Sequence, residues 1–348
     1  MINIGKNMSA PINKFANRRR ILILGAVAPF VAPAIVRAAG TEFVYKFATG
    51  QDPTHPLNIR LQEAFDRIHE STHGRLQIKL FPANQLGTET AVLSQVRSGS
   101  LEFIILSASI LATLVPVSGI ANTGYAFIDY DAVWKAMDGS LGKYIQAQTA
   151  KLGLVANAKI WDNGFRQVSS SSRDIREPGD LKGFKIRTPP APMLTSLFSA
   201  LGASPTPMNF NEVYTALQTK VIDGQENAVS LIATTKLYEV QKYCAMTGHS
   251  WDGYWPLANK RAWDRLPGDV RDIVVRELDR SAIDERADVA KLDLSLRGML
   301  TEKGMIFRDV DKAKFRDALV KTSYYRDWKK KYGDEAWTQL EAACGKLA

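Results

Sequence analysis

Two hydrophobic periods alternate along this chain. Phe43-Val44-Tyr45-Lys46-Phe47-Ala48 reads as a strand, stopped by Gly50 and Asp52-Pro53. Leu57, Leu61, Phe65 and Ile68 then recur at helical spacing, with Gly74 placed as a C-cap. Leu76-Gln77-Ile78-Lys79-Leu80-Phe81 alternates as a second strand, Thr90–Arg97 reads as a helix ending at Gly99, and Phe103-Ile104-Ile105-Leu106 is a short, continuously apolar strand. Strands and helices in this order predict a parallel α/β sheet. Ligands of such sheets sit beyond the carboxyl ends of the strands, which here means Gly50-Gln51, Glu89 and Ser107–Ser109.

An amphipathic helix is predicted over residues 132–152, and a strand over Leu154–Ile160 leads into Trp161. The pattern then restarts, with a strand at Gly183–Arg187 and helices near Pro192–Leu201 and Asn211–Thr219, followed by a turn at Asp223-Gly224. Pro267 to about Leu300 reads as one charged helical stretch, longer than the diameter of a small domain and therefore able to bridge two. The C-terminal segment, with Tyr324, Trp328 and Trp337, is helical and amphipathic. A length of 348 residues favours two domains over one core.

Within this pattern, Arg166 and Arg187 lie 21 residues apart in apolar, β-prone surroundings, and Asn227 follows the Asp223-Gly224 turn. A guanidinium that is taken from water needs an anionic partner, because it does not deprotonate. The protein supplies that partner, for instance Glu226 or Asp223 for Arg187, or a ligand does. Arg166 has the further option of bridging domains, and Asn227 that of capping the next helix.

The net charge of +9 changes little. Residues 1–38 hold six bases and no acid, leaving +3 on the remainder, where bases and acids are interleaved. That is no clustered basic face, so nucleic acid is not an expected partner. Asn17-Arg18-Arg19-Arg20, an apolar run from Ile21 to Ala32 and small residues to Ala39 form a secretory signal resembling a twin-arginine one, with the mature chain starting near Ala39. The apolar run is short and broken by Pro29 and Pro33, a poor membrane anchor. An exported chain permits a disulfide, but the spacing of Cys244 and Cys344 leaves their pairing open.

One enzyme motif is present. His69-Glu70-Ser71-Thr72-His73 matches the H-E-x-x-H pattern of zinc peptidases. Gly74 ends the helix directly after His73, and neither His55 nor His249 stands at a third-ligand spacing, so the motif reads as a polar helix face and not as a metal site. No G-x-S-x-G, P-loop or dinucleotide fingerprint occurs, and no cofactor is expected.

Phe81-Pro82-Ala83-Asn84-Gln85-Leu86-Gly87, Gly99-Ser100-Leu101-Glu102-Phe103, Gly164-Phe165-Arg166-Gln167 and Leu181-Lys182-Gly183-Phe184-Lys185-Ile186-Arg187 resemble segments of the TRAP-type periplasmic solute-binding proteins, the DctP-like family. The longest such stretch runs from Gly202 to Gln218 and continues through Asp223-Gly224-Gln225-Glu226-Asn227. The resemblance implies a two-domain α/β clamshell of the periplasmic-binding type, with hinge strands and a long domain-bridging helix. It places a signal at 1–38, domain I at 39–163 plus 252–291, and domain II at 164–251 plus 292–348. It implies a monomeric, non-catalytic periplasmic protein that captures a small organic anion and hands it to membrane permease subunits. An extracytoplasmic sensor sharing the same pocket is the alternative.

The family's signature arginine falls on Arg187, a second pocket arginine on Arg166 and a pocket amide on Asn227. Phe210 is expected as an apolar wall, Trp161 and Trp251 as cleft aromatics, and Glu89 and Ser107 on the strand-end surface. In sialic-acid-binding members the strand after the Gly-Ser-Leu motif ends in an acid, followed three residues later by an arginine. Here Ser107 and Ile110 occupy those positions, which disfavours a bulky amino-sugar acid.

Overall fold

The computed structural model describes residues 40–347. The export signal expected at 1–38 lies outside the described residues. The described residues form one compact unit.

Its frame is a ten-stranded mixed sheet, with eight strands in the order β2-β1-β3-β9-β5-β8-β6-β7 and with β4 and β10 both paired to β9. The strands are β1 (Phe43–Ala48), β2 (Leu76–Phe81), β3 (Phe103–Ser107), β4 (Leu154–Ala156), β5 (Trp161–Ser170), β6 (Lys185–Thr188), β7 (Ser204–Pro207), β8 (Gly224–Asn227), β9 (Tyr243–Asn259) and β10 (Ile306–Asp309). The parallel sheet expected from the sequence is found only in parts. β1 runs parallel to β2 and β3, and β6 parallel to β7 and β8. Between these parallel halves, β9 runs antiparallel to β3 and β5, and β5 antiparallel to β8.

β9 is the reason. It is 17 residues long, and its Tyr254–Ala258 portion pairs with β3 while Tyr243–Met246 pairs with β10. One continuous strand therefore belongs to both halves. β5 lies along it with register shifts between Asp162 and Gly164 and between Arg166 and Val168. Each shift re-aims side chains where the halves meet.

The other expectations differ in detail. The helix expected over 132–152 is two helices, Tyr130–Met137 and Ser140–Ala150. At the corner between them a Cβ on Gly139 would lie 2.3 Å from the Lys135 carbonyl oxygen. The strand expected at 154–160 is shorter, β4 covering only Leu154–Ala156, and residues 157–160 form a bend before β5 starts at Trp161. The long helix is confirmed as Gly268–Glu302, 35 residues and roughly 52 Å at 1.5 Å per residue. Its first half packs on the β1 side with Phe47, Leu57 and Phe65, and its Leu296 and Leu300 join Val213, Leu217 and Ile232 on the β8 side. Arg67 pairs with its Glu277 at 2.7 Å and Arg60 with its Asp288 at 2.6 Å. The C-terminal helices bury Tyr324, Trp328 and Trp337, as their pattern predicts.

His73 lies past the helix end at Ser71 with φ +52°, so it shares no helical face with His69. No group of three or more His, Cys, Asp or Glu side chains among the described residues is arranged to hold a metal ion. Cys244 and Cys344 are both free. No helix among the described residues is long and apolar enough to cross a membrane.

Candidate functional site

Where the halves meet, a small cavity of about 20 Å³ is lined from both sides. The β1–β3 half contributes Gln51, Glu89, Ser107, Ser109 and Ile110, and the β6–β8 half Arg187, Pro189, Phe210, Asn227 and Leu231. The shared strands add Asn163, Arg166, Asp252 and Tyr254. Alongside it the halves touch directly, Thr90 Oγ1 donating to Asn209 Oδ1 at 3.2 Å.

Local folding rules place these side chains. Gln51 follows β1, and Asn58 fixes its backbone by donating to the carbonyls of Gln51 and Asp52 at 2.9 and 2.8 Å. Glu89 opens the helix Glu89–Ser98 behind the N-cap Thr88. Ser107 ends β3 and caps the short turn of helix after it through Ser109 N–H. Asn163 sits in the first register shift of β5, where the ladder skips it. Arg187 is the third residue of β6, and Asn227 the last of β8.

The two arginines have opposite surroundings. Arg166 Nε and Nη2 donate to Glu226 at 2.5 and 2.9 Å, and Nη1 reaches Asp252 at 3.3 Å. Burial alone would lower its pKa, but Glu226 and Asp252 hold it above the ordinary value. Burial works against ionised Glu226 too, yet Arg166 and His249 hold that carboxyl down at about 2. His249 is pushed down by burial and is kept from falling further by Glu226. A neutral ring protonated on Nε2 satisfies both its contacts, 3.0 Å to Glu226 and 2.8 Å to the Thr247 hydroxyl. For Arg166 the protein itself therefore supplies the counter-charges.

Arg187 differs. It is 2% exposed, and its Nε and Nη2 donate only to the Met208 carbonyl, at 3.0 and 2.8 Å. Among the described residues no carboxylate lies within salt-bridge distance of it, neither Glu226 nor Asp223. Burial lowers its pKa to about 10, with Glu226 and Glu89 countering and Arg166 adding to the fall. The Phe210 ring covers it, 5.6 Å from the guanidinium carbon. Asn227 Oδ1 accepts from the adjacent Ala228 N–H at 3.1 Å; the helix Val229–Thr234 that follows has no side-chain cap, so Asn227 lines the cavity without capping it.

The opposite wall is rich in oxygen. Asp252 accepts from Ser107 at 2.5 Å, Asn122 at 3.0 Å and Asn163 at 3.2 Å in addition to Arg166. Tyr254 OH accepts from Gln51 Nε2 at 2.8 Å. Burial raises the Glu89 carboxyl to about 7, with Arg187 opposing.

Of the eight residues expected at the site, Arg187, Arg166, Asn227, Phe210, Glu89 and Ser107 line this cavity. Trp161 and Trp251 do not. Trp161 packs into the core with Phe47 and Phe103, and Trp251 lies in the core on the other face. Both are β-strand residues whose rings point away from the cavity, and Trp251 Nε1 donates to Asp162 at 2.8 Å. Sequence reasoning missed Asn163, Asp252 and Tyr254. The Asp inside the apolar run Trp251-Asp252-Gly253-Tyr254 was the available signal, since an acid in a buried strand needs several donors.

Two lobes sharing a sheet and closed on a small polar cavity, with one lining cation unneutralised among the described residues, are the architecture of a solute-binding receptor. The family profile described as bacterial extracellular solute-binding protein, family 7 (DctP) matches residues 47–331, and the chain belongs to this family of TRAP-type solute-binding proteins. It is 33% identical over 275 residues to the 2,3-diketo-L-gulonate-binding periplasmic protein of Escherichia coli K12, covering 79% of this chain and 84% of that one. The fold is similar to that of a TRAP periplasmic solute-binding protein from Polaromonas bound to D-erythronate, with TM-score 0.83 and 27% identity over 86% of this chain and 99% of that one. It is equally similar to one from Sulfurospirillum deleyianum with bound succinate, with TM-score 0.82 and 27% identity over 87% and 99% of the two chains. Members of the family bind solutes for transport and are not enzymes.

Proposed function

We propose that this protein is the periplasmic receptor of a TRAP transporter, which captures a small organic acid by a salt bridge between the acid's carboxylate and Arg187 and delivers it to the membrane permease. The observation that carries this is the buried guanidinium of Arg187, left without a carboxylate among the described residues on the wall of a cavity lined by both halves. Burying a cation is costly without a partner, and a carboxylate meets a guanidinium through paired charge-assisted bonds. Arg166 assists indirectly, by holding Asp252 and Glu226 in place. Phe210 supplies an apolar lid and Asn227 an amide donor. Contacts to both halves favour closure through the ligand's higher affinity for the closed state.

The remainder of the reading follows from this role: export by the twin-arginine-like segment, a monomer, and lobes bounded at 39–163 plus 252–291 and 164–251 plus 292–348, with β5 and β9 passing between them. The test is a thermal-shift screen of organic acids followed by calorimetry, since a ligand that binds the native state raises its apparent stability. Monocarboxylic or dicarboxylic acids are expected to raise the melting temperature of the wild type and to leave Arg187→Ala unmoved. Equal affinity in the two proteins would refute the role given to Arg187.

A further inference from the structure

The wall facing Arg187 specifies what the remainder of the anion carries. Three side chains there, all more than nine-tenths buried, present oxygens that no group among the described residues satisfies. Glu89 is 8% exposed and receives no hydrogen bond. Asn163 is 2% exposed and turns its Nδ2 to Asp252, which fixes the amide and leaves Oδ1 without a donor. Gln51 is 4% exposed and turns its Nε2 to Tyr254, leaving Oε1 without one. Asp252, by contrast, is saturated by Ser107, Asn122, Asn163 and Arg166.

Buried acceptors are satisfied in native structures, and one left bare costs affinity or stability. What Glu89, Asn163 Oδ1 and Gln51 Oε1 lack is donors. From these acceptors we infer that the ligand is a hydroxylated monocarboxylate: one carboxylate on Arg187 and hydroxyl groups donating to Glu89, Asn163 and Gln51. This rests on the receptor reading above and narrows it. A C4-dicarboxylate fits less well, because its second carboxylate would set acceptors against Asn163 Oδ1 and Gln51 Oε1 and a second anion beside Glu89, whose burial already opposes ionisation, with Arg166 already neutralised by Glu226 and Asp252. Glu89 is the residue that sets this choice. The backbone holds it there: a Cβ on Gly50 would lie 3.1 Å from the Glu89 carboxyl group, so a glycine leaves it room.

The experiment is calorimetry on the full mature chain with D-erythronate and with succinate, two four-carbon acids that differ in carrying hydroxyls or a second carboxylate. Each buried acceptor left without a donor is worth roughly tenfold in affinity, so wild type is expected to bind D-erythronate at least about 100-fold more tightly than succinate. Glu89→Gln, which keeps the size and removes the charge, is expected to weaken D-erythronate about tenfold and to strengthen succinate. Glu89→Leu is expected to weaken D-erythronate further, with both variants folded by circular dichroism. Succinate binding as tightly as D-erythronate, or a preference unchanged in Glu89→Gln, overturns this inference while the receptor reading stands. If neither these acids nor any other carboxylate binds the wild type, the receptor reading falls and takes the inference with it.

Discussion

Replacing each arginine by alanine in turn separates a structural cation from a ligand-binding one. Arg166→Ala removes a guanidinium held to Glu226 at 2.5 and 2.9 Å and to Asp252 at 3.3 Å, and strands two carboxylates whose residues are 0% exposed. Breaking a buried pair from one side costs about 3–5 kcal/mol, because an uncompensated charge remains inside. At roughly 2 °C per kcal/mol for a chain of this size, the melting temperature falls by about 6–10 °C. Arg187→Ala removes a cation whose only protein acceptor is one carbonyl, and whose lowered pKa reports that burial opposes its charge. Its loss is expected to change stability by no more than about 1 kcal/mol while abolishing carboxylate binding. The assay is calorimetric melting and urea unfolding without ligand at pH 7, with titration of the same samples. The acid limb supplies a second reading. Glu226 is held at about 2 against an ordinary 4.5, so its stabilisation is present above 4.5 and is lost as pH falls toward 2. That stretch of the stability curve should flatten in Arg166→Ala. The reasoning is refuted if Arg187→Ala melts as low as Arg166→Ala, or if Arg166→Ala melts within about 2 °C of wild type.

Two further outcomes test the frame around the site. Asp162 is raised to about 7 by burial, with Trp251 opposing and Asp293 adding to the rise. A carboxyl raised in the folded state stabilises fully below its ordinary 3.8, and that contribution is lost as pH rises through 7. Asp162→Asn, which keeps an acceptor for Trp251, should therefore melt higher than wild type at pH 8 and show a shallower decline between pH 4 and 7; identical curves would dismiss the effect. At Gly224 a Cβ would stand 2.2 Å from the Ser169 carbonyl oxygen and 2.5 Å from the Phe184 ring. Gly224→Ala should cost about 1–3 kcal/mol or more by urea unfolding and weaken ligand binding, because β8 carries Glu226 and Asn227; wild-type behaviour in both would show that the strand yields freely.

Much of this was readable in the linear pattern. The alternating runs at β1 and β2, the glycine-terminated helices and the uninterrupted charged stretch that becomes Gly268–Glu302 are local signals, since side-chain period and capping chemistry act within a few residues. The residue types at the site were also visible: Arg187 and Arg166 as cations in apolar surroundings, Asn227 after its turn, and Glu89 and Ser107 at strand ends. What the sequence could not assign was partnership. Arg166 meets Glu226 and Asp252, which are 60 and 86 residues away, through strand pairings set by two irregularities in β5. Arg187, in a strand of similar composition, meets neither. Trp161 and Trp251 look like cleft aromatics until the pleat turns their rings into the core, for the face a strand residue takes depends on register and not on residue type. The sequence by itself determined an α/β chain carrying a buried cation for an anion. The tertiary structure decided which cation remains free and which oxygens stand opposite it, because charge pairing depends on distances that only the folded sheet sets.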